Sequence, residues 1–435
     1  MEKVAFYTLG CKVNQYETEA MIESFEEKGY KIVDYNSYSN IYIINTCTVT
    51  NMGDRKSRQV IRRALEYNRD AFIAVVGCYS QIAPKEVLDI EGVKLVLGTN
   101  NRNKIVELVE EAMGKDVKTN AVTDIKKVDK FEDMNINQYK KRTRAFVKIQ
   151  DGCNQYCSYC IIPFARGHIR SKDMDSILSE IEGLARNNFL EIILTGIHIG
   201  SYGRDLKNVE LIDVIEKVHE INGIKRIRMS SIEPKTLTKD FIYRISKLDK
   251  ICRHFHLSLQ SGCDETLKRM NRRYTVEEYR DVVNNLRKTF DDVGITTDII
   301  VGFPGETDEE FLQTLKFIDE ISFSSMHIFK YSPRKGTRAS EFPNQVNAKD
   351  KEERSKLVSQ IAKKNEEKFL QRFISKDLEV LFEQELKKKK GFYEGLTHNY
   401  IKVIAESEKS INGKLLNVKL VEMKNNHILG KLVKE

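Results

Sequence analysis

Three cysteines, Cys153, Cys157 and Cys160, occur close together with the spacing C-x3-C-x2-C. Three thiolates at this spacing can hold three irons of a four-iron cluster and leave the fourth iron open to an external ligand. The alternative is a structural zinc site, which takes four protein ligands. The nearest further candidate ligand, His168, follows an unusual gap. The spacing therefore favours an iron–sulfur cluster with one open iron.

A second set of cysteines, Cys11, Cys47 and Cys78, is spread widely along the chain, but each follows directly on a predicted strand. Loops beyond the carboxyl ends of parallel strands gather on one edge of an open sheet, so these thiols are expected to converge on one centre. Gly10 and Gly77 precede two of them and allow a bulky cluster to approach the backbone closely. Three unrelated buried cysteines are the alternative, which the equivalent placement disfavours.

Composition limits the class of protein. The 435 residues are 40% hydrophobic and 31% charged, which is typical of a globular protein with about three domains. No apolar run is long enough to span a membrane, and the first residues lack a secretory signal, which predicts a cytoplasmic protein. In that compartment cysteines serve as metal ligands or buried thiols. The net charge of +8 permits an anionic partner such as RNA without requiring one.

The pattern of apolar segments divides the chain into three parts. Strands and helices alternate over residues 1–114, which predicts an open parallel α/β sheet domain, and residues 115–140 are polar and predict a linker. Six strand–helix units over residues 141–335 fall short of the eight in a closed barrel, so a partial (βα)6 barrel is expected, extended by a charged helix to residue 373. Short strands over residues 374–435 predict a small β-barrel.

Together these features resemble the radical S-adenosylmethionine (SAM) methylthiotransferases, which combine two three-cysteine sets with an aromatic residue, here Tyr159, before the last cysteine of the compact set. The C-terminal barrel resembles their RNA-binding TRAM domain. The run from Gly10 to Thr18 resembles the branch that acts on N6-threonylcarbamoyladenosine in tRNA. The isopentenyladenosine branch looks more like Gly-Cys-Gln-Met-Asn at this place, and the ribosomal-protein branch differs again.

The resemblance implies an enzyme that inserts sulfur and a methyl group at carbon 2 of N6-threonylcarbamoyladenosine, at position 37 in the anticodon loop of tRNA. It implies two 4Fe-4S clusters and SAM as cofactors. The compact set would cleave SAM to a 5′-deoxyadenosyl radical, the dispersed set would hold the sulfur, and a second SAM would supply the methyl group. The electron donor and the sulfur donor are unidentified. Alternatives are the same chemistry on isopentenyladenosine tRNA or a ribosomal-protein aspartate, and a non-enzymatic RNA-binding protein stabilised by metals.

SAM also needs contacts at the carboxyl ends of the barrel strands, where βα loops build active sites. By position the predicted contacts are Thr195, Gly196, Ser230, Glu233, Gln260 and Val301, with Tyr159 against the adenine and Arg272 or Arg273 on the carboxylate. RNA contact is expected at Lys387–Lys390, where four lysines precede Phe392 and Tyr393 and combine charge with stacking rings. A solvated loop is the alternative there.

Overall fold

The structure is a computed structural model that describes residues 2–115, 117–134, 136 and 143–433. Residues 137–142 contain the end of the predicted linker and the predicted start of the central domain, and they lie outside the described residues. The same holds for residue 434, at the end of the last predicted strand.

The N-terminal part is a six-stranded sheet with helices on its faces. Its strands are β1 (Lys3–Thr8), β2 (Lys31–Val33), β3 (Ile41–Thr46), β4 (Phe72–Gly77), β5 (Val93–Val96) and β6 (Thr119–Asn120). Its helices are α1 (Lys12–Glu27), α2 (Asn51–Tyr67), α3 (Cys78–Ile82), α4 (Pro84–Leu88) and α5 (Ile105–Lys115). The strands pair in parallel in the order β2-β1-β3-β4-β5-β6. Because β1, β3 and β4 are neighbours, the loops that follow them share one edge of the sheet.

The central part contains six parallel strands in two arcs, and one short antiparallel strand, β8, that the sequence did not predict. Its strands are β7 (Arg144–Asp151), β8 (Arg170–Ser171), β9 (Glu191–Gly196), β10 (Arg226–Met229), β11 (His254–His256), β12 (Gly294–Val301) and β13 (Ser325–Lys330). The arcs β10-β9-β7-β8 and β11-β12-β13 are joined by single bridges, among them Ile227 to Ile251. The expectation of an open, partial barrel is confirmed.

Helices follow the strands of the partial barrel. They are α6 (Ile162–Arg166), α7 (Met174–Arg186), α8 (Leu211–Glu220), α9 (Lys239–Ser246), α10 (Asp264–Arg269), α11 (Val276–Thr289) and α12 (Asp308–Ile321). A long helix, α13 (Ala348–Gln371), packs on β13 and α12 and leads to the C-terminal part. Its start is capped by Asn347, whose side chain accepts a hydrogen bond from the Asp350 amide at 2.9 Å.

The C-terminal part is a closed barrel in the order β14-β15-β16-β18-β17, as the sequence predicted in outline. Its strands are β14 (Asp377–Glu385), β15 (Phe392–Thr397), β16 (Lys402–Glu406), β17 (Leu415–Lys424) and β18 (His427–Leu432). The barrel packs on the amino ends of the central strands, where the Arg226 guanidinium donates to the Leu396 carbonyl at 2.9 Å and that of Arg228 to the Thr397 carbonyl at 3.2 Å.

Across the described residues, none of the helices has both the length and the apolar character needed to cross a membrane.

Candidate active site

The compact cysteine set occupies the loop between β7 and α6, at the carboxyl end of the first barrel strand. The chain enters this loop through Gly152, at a φ of +73°. A Cβ at this residue would lie 1.8 Å from the His168 carbonyl oxygen, so only glycine fits the turn. Within the loop the Cys160 amide donates to the Cys157 carbonyl at 2.9 Å. The fold therefore turns all three thiols back over the barrel mouth.

The three thiols of this loop lie close enough to influence one another. Burial raises the pKa of Cys153 to about 11, and the neighbouring Cys157 adds to the rise. Burial, followed by the same neighbour, also raises the pKa of Cys160. Three partly buried thiolates that repel one another need a positively charged centre to replace lost hydration. This donor set fits three irons of a 4Fe-4S cluster.

One arginine makes direct contact with the compact set. The Arg272 guanidinium donates from Nη1 to the Cys157 Sγ at 3.3 Å, and its Nη2 lies 2.7 Å from a Glu233 carboxylate oxygen. Arg273, the alternative that the sequence offered, instead lines a groove of about 240 Å³ beside Asn154 and His198. The structure therefore separates the two arginines: Arg272 lies at the thiols and Arg273 beside them.

The dispersed set, Cys11, Cys47 and Cys78, follows the neighbouring strands β1, β3 and β4. Gly10 has a φ of +107°, and a Cβ there would lie 3.3 Å from the Cys47 Sγ, which shows how closely the first two loops approach. Burial, and then the charge of Cys78, raises the pKa of Cys47 to about 12. The structure therefore brings these three cysteines together at one sheet edge, and their thiols match the ligands of a second cluster.

Arg166 connects the two cysteine sets. It ends α6, shortly after Cys160, and its Nε donates to the Cys78 Sγ at 3.3 Å. Its Nη1 donates to a Glu17 carboxylate oxygen at 2.5 Å, and its Nη2 to the Asn14 side-chain oxygen at 2.7 Å. This fully buried side chain therefore joins the dispersed set to α6, the helix that follows the loop of the compact set.

A buried ion-pair network surrounds this contact, and Glu17 of α1 is at its centre. Its carboxylate pairs with Arg102, with Arg166, and with the Lys148 ammonium of β7 at 2.9 Å. Burial alone would raise the pKa of Glu17, but these three cations lower it to about 2. Lys148 also lies 2.6 Å from Asp151 at the end of β7. The network fixes the N-terminal sheet against the first barrel strand.

Comparison with known proteins agrees with this arrangement. Residues 147–318 match the Radical SAM superfamily, and residues 3–98 match the Uncharacterized protein family UPF0004. The chain is 41% identical to the Threonylcarbamoyladenosine tRNA methylthiotransferase MtaB of Bacillus subtilis, over 97% of this chain and 94% of that protein. The chain belongs to the radical SAM tRNA methylthiotransferase family.

Relatives within the radical SAM tRNA methylthiotransferase family carry two names. The tRNA-2-methylthio-N(6)-dimethylallyladenosine synthase of Alkaliphilus oremlandii is 35% identical, over 100% of this chain and 93% of that protein. Among solved structures, the radical SAM methyltransferase TsrM of Kitasatospora setae, with cobalamin and a 4Fe-4S cluster bound, matches with a TM-score of 0.57. That match covers 76% of each chain at 15% identity, which establishes a shared fold.

Several of the predicted SAM contacts of this methylthiotransferase line the carboxyl ends of β9 and β10. Thr195 is buried, and a Cβ at Gly196 would lie 2.9 Å from the Gln150 carbonyl oxygen, so glycine permits this close strand contact. The Ser230 hydroxyl is buried and has no hydrogen-bond partner among the described residues. A buried hydroxyl without a partner is costly unless a ligand satisfies it. Ser230 therefore has the character of a ligand contact.

The other predicted contacts lie on the second arc and on the cysteine loop. Gln260 has a φ of +72°, and its backbone amide donates to the Asp298 backbone carbonyl at 2.9 Å. Val301, at the end of β12, is fully buried. The Tyr159 ring meets the Phe303 ring edge-on, with centroids 6.4 Å apart. These side chains surround the mouth of the barrel.

Below the mouth, a cavity of about 590 Å³ lies between β11–β13, the C-terminal barrel and Lys12 at the start of α1; it is called the lumen cavity below. Three of its lining residues, His256, Asp298 and His327, extend from three adjacent strands, and each offers an atom within 4.8 Å of the others. Burial, and then repulsion by neighbouring guanidinium groups, lowers the pKa of Lys12, against an opposing effect of Tyr400.

Sequence reasoning missed the lumen cavity and the buried ion-pair network. One signal was available: Lys148 is the single charge in the apolar run Ala145–Ile149, and such a residue needs a buried partner when both faces of the strand are covered. Arg166, soon after Cys160, carried no comparable signal because most arginines are exposed. Its role depends on the packing of α6 against α3, which only the fold reveals.

Proposed function

We propose that this chain inserts a methylthio group at carbon 2 of N6-threonylcarbamoyladenosine 37 in tRNA. The observation that carries the proposal is the docking of the dispersed set beside the compact-set loop: Arg166 of α6, the helix that directly follows this loop, lies 3.3 Å from the Cys78 Sγ. Sulfur insertion at an unactivated C–H carbon needs hydrogen abstraction and sulfur delivery at one place. A site with two clusters that face each other satisfies this requirement.

The choice of substrate is supported by the relatives and by one motif. Three relatives, 36–41% identical, are named Threonylcarbamoyladenosine tRNA methylthiotransferase MtaB. The relatives named for dimethylallyladenosine are 34–36% identical. The run from Gly10 to Thr18 resembles the first branch, with Lys12 in place of glutamine. Isopentenyladenosine tRNA is the second candidate.

The donor sets assign the cofactors. Cys153, Cys157 and Cys160 would hold one 4Fe-4S cluster, and the dispersed set would hold a second. When bound, the clusters and SAM supply the radical hydrogen abstraction, the inserted sulfur and the methyl group. SAM contacts are assigned to Tyr159, Thr195, Gly196, Ser230, Glu233, Gln260, Val301 and Arg273, with Arg272 at the thiols.

The protein's own residues position these groups and exclude water. Arg272 places a positive charge at the Cys157 thiol, and Glu233 holds that arginine in place. The Glu17 network joins α1 to β7 and keeps the distance between the two cysteine sets fixed. Fixed dipoles and charges in a closed site do not have to reorganise during the reaction, which lowers its barrier. Rigid docking of the two parts is therefore part of the mechanism.

The proposal assigns a task to each part of the chain. Residues 1–114 carry the sulfur-donating cluster, residues 141–373 carry SAM, and residues 374–435 contact the tRNA anticodon loop with the help of Lys387–Lys390. The protein would act in the cytoplasm and draw on an electron donor and a sulfur donor that are unidentified. The four lysines begin just after β14 and precede β15, so the closed barrel presents them on a connecting loop.

The test is a nucleoside analysis of tRNA from a strain that lacks this protein. Digested tRNA should lose 2-methylthio-N6-threonylcarbamoyladenosine and keep its unthiolated precursor, and mass spectrometry measures both. Complementation with the wild-type chain should restore the product. An unchanged product level, or loss of the isopentenyl derivative instead, would rule out the proposed substrate.

A further inference from the structure

The lumen cavity extends from Lys12, at the start of α1, to the C-terminal barrel. Lys12, which directly follows Cys11, lines the cavity, and so does Ser231 beyond β10. Tyr400 and Asn399 of the C-terminal barrel line its other end. A volume of about 590 Å³ is in the range of pockets that enclose a small ligand. Lys12 is the residue through which this cavity adjoins the dispersed set.

The charge on the cavity wall is unbalanced at Lys12. No hydrogen bond or ion pair joins its ammonium group to another described residue, while the guanidinium groups of Arg144 and Arg228 repel it. Both arginines share the same carboxylate, Glu191. Arg144 also pairs with Glu383. The end of the cavity near Lys12 therefore has an excess of positive charge, which an anion would neutralise.

The carboxylates elsewhere on the wall do not neutralise Lys12. Asp298 lies 3.2 Å from the His256 ring, and Glu394 lies 3.1 Å from the Lys402 ammonium, so both are already paired. Glu366 of α13 has no ion pair among the described residues, and burial raises the pKa of its carboxyl. Tyr400 offsets part of the repulsion at Lys12, and the positive charges that act on its ammonium are those of Arg144 and Arg228.

A polar and aromatic wall stands beside this positive end. The His254 ring stacks on the Tyr400 ring with centroids 4.3 Å apart, and the Arg228 guanidinium lies 4.9 Å from the same tyrosine ring. His254 is buried, and its Nδ1 has no hydrogen-bond partner among the described residues. A buried ring nitrogen without a hydrogen-bond partner destabilises the folded protein unless a ligand group bonds to it. It is a second, independent feature that calls for a polar ligand.

We propose that Lys12, beside the His254–Tyr400 stack, binds the carboxylate of the N6-threonylcarbamoyl group and so selects this substrate over the isopentenyl one. The inference rests on the proposed function. The threonyl group carries a carboxylate and a hydroxyl, which match an unpaired ammonium and a free ring nitrogen. An isopentenyl group offers neither, and would leave the half-buried Lys12 beside two arginines without an anion.

The test measures binding, separately from turnover. Anaerobically reconstituted protein is titrated with three synthetic anticodon stem–loops that carry adenosine, N6-threonylcarbamoyladenosine, or the same nucleoside with its carboxylate converted to an amide. Wild type should bind the threonylcarbamoyl form at least about tenfold more tightly than the other two, because a charge-assisted hydrogen bond has this magnitude.

The variants assign this preference to one side chain. Lys12→Met should lose the preference and keep its affinity for the adenosine form, whereas Lys12→Arg should keep part of it. Lys217→Met removes a surface lysine that pairs with Glu220 on α8, and should change nothing. The proposal is overturned if Lys12→Met retains the preference, if it weakens all three stem–loops equally, or if wild type binds the amide as well as the carboxylate.

Product analysis on the same samples separates this inference from the proposed function. If wild type methylthiolates only isopentenyladenosine, the proposed function is wrong. If it methylthiolates the threonylcarbamoyl substrate without showing the binding preference, the proposed function stands and the Lys12 assignment is wrong. The amidated stem–loop tests the assignment even if a Lys12 variant does not fold.

Discussion

Glu17→Gln tests the buried network that holds the two cysteine sets together. The pKa of Glu17 is lowered from the ordinary 4.5 to about 2, because attraction to Arg102, Arg166 and Lys148 outweighs the effect of burial. A lowering of this size corresponds to about 3 kcal/mol in favour of the ionised, folded state. A depressed pKa contributes stability that is fully present above pH 4.5 and is lost as the pH falls toward 2. At pH 8 the whole contribution is present, and the substitution should remove it.

Glu180 of α7 provides a matched control of the opposite sign. It is also a buried glutamate, paired with Lys172 at 2.6 Å, but burial outweighs that attraction and raises its pKa to about 7. A raised carboxyl pKa destabilises the folded state at pH values above it, so Glu180→Gln at pH 8 should leave the free energy of unfolding unchanged or increase it. Glutamine can still accept the hydrogen bond from Lys172.

The assay is urea unfolding of anaerobically reconstituted protein at pH 8, followed by far-ultraviolet circular dichroism. Glu17→Gln should lower the free energy of unfolding by about 3 kcal/mol, in the range measured when one partner of a buried ion pair is removed. A loss below about 0.5 kcal/mol, the size of an ordinary surface effect, would refute the role of the network. Equal losses in both variants would refute the electrostatic reasoning.

Three further changes have defined outcomes. Gly152→Ala should halve the iron content of reconstituted protein, because its Cβ would clash with the His168 carbonyl oxygen. Gly114→Ala, at a position with open space around it, should leave the iron content unchanged. Equal iron in both variants would contradict this prediction. Arg272→Gln removes a positive charge 3.3 Å from the Cys157 Sγ and should lower the cluster potential in a redox titration followed by electron paramagnetic resonance; an unchanged potential would contradict it. Replacing Lys387–Lys390 with glutamines should reduce the slope of log affinity for tRNA against log salt by up to about 3, and an unchanged slope would show that these lysines do not contact phosphate.

The sequence predicts the layout of this protein because its signals are local. Strand-length apolar runs and thiol spacing are properties of short segments, so the partial barrel and the closed C-terminal barrel follow from them. The strand Phe392–Thr397 was missed because it follows four lysines and contains Gly395, both of which are typical of loops. The short strands Lys31–Val33 and Thr119–Asn120 lie at the sheet edges and carry too few residues for a pattern.

The site could be predicted only in part, because contacts across the fold are not local. Adjacent Arg272 and Arg273 are equivalent in sequence, and the structure separates them because the first turns toward Cys157 and the second toward a groove. Glu17 and Arg102 come from distant segments of the N-terminal part, and Lys148 joins them only after that part docks on the barrel. Charge pairing of this kind becomes visible once the tertiary structure is known.

The most direct test of two clusters in one site is the iron content of three proteins reconstituted without oxygen. Wild type should hold about eight irons per chain, and Cys157→Ala and Cys47→Ala should each hold about four, with Mössbauer spectra of the 4Fe-4S type in every case. Only Cys47→Ala should still convert SAM to 5′-deoxyadenosine. About four irons in the wild type, or the loss of all iron in either single variant, would contradict the account.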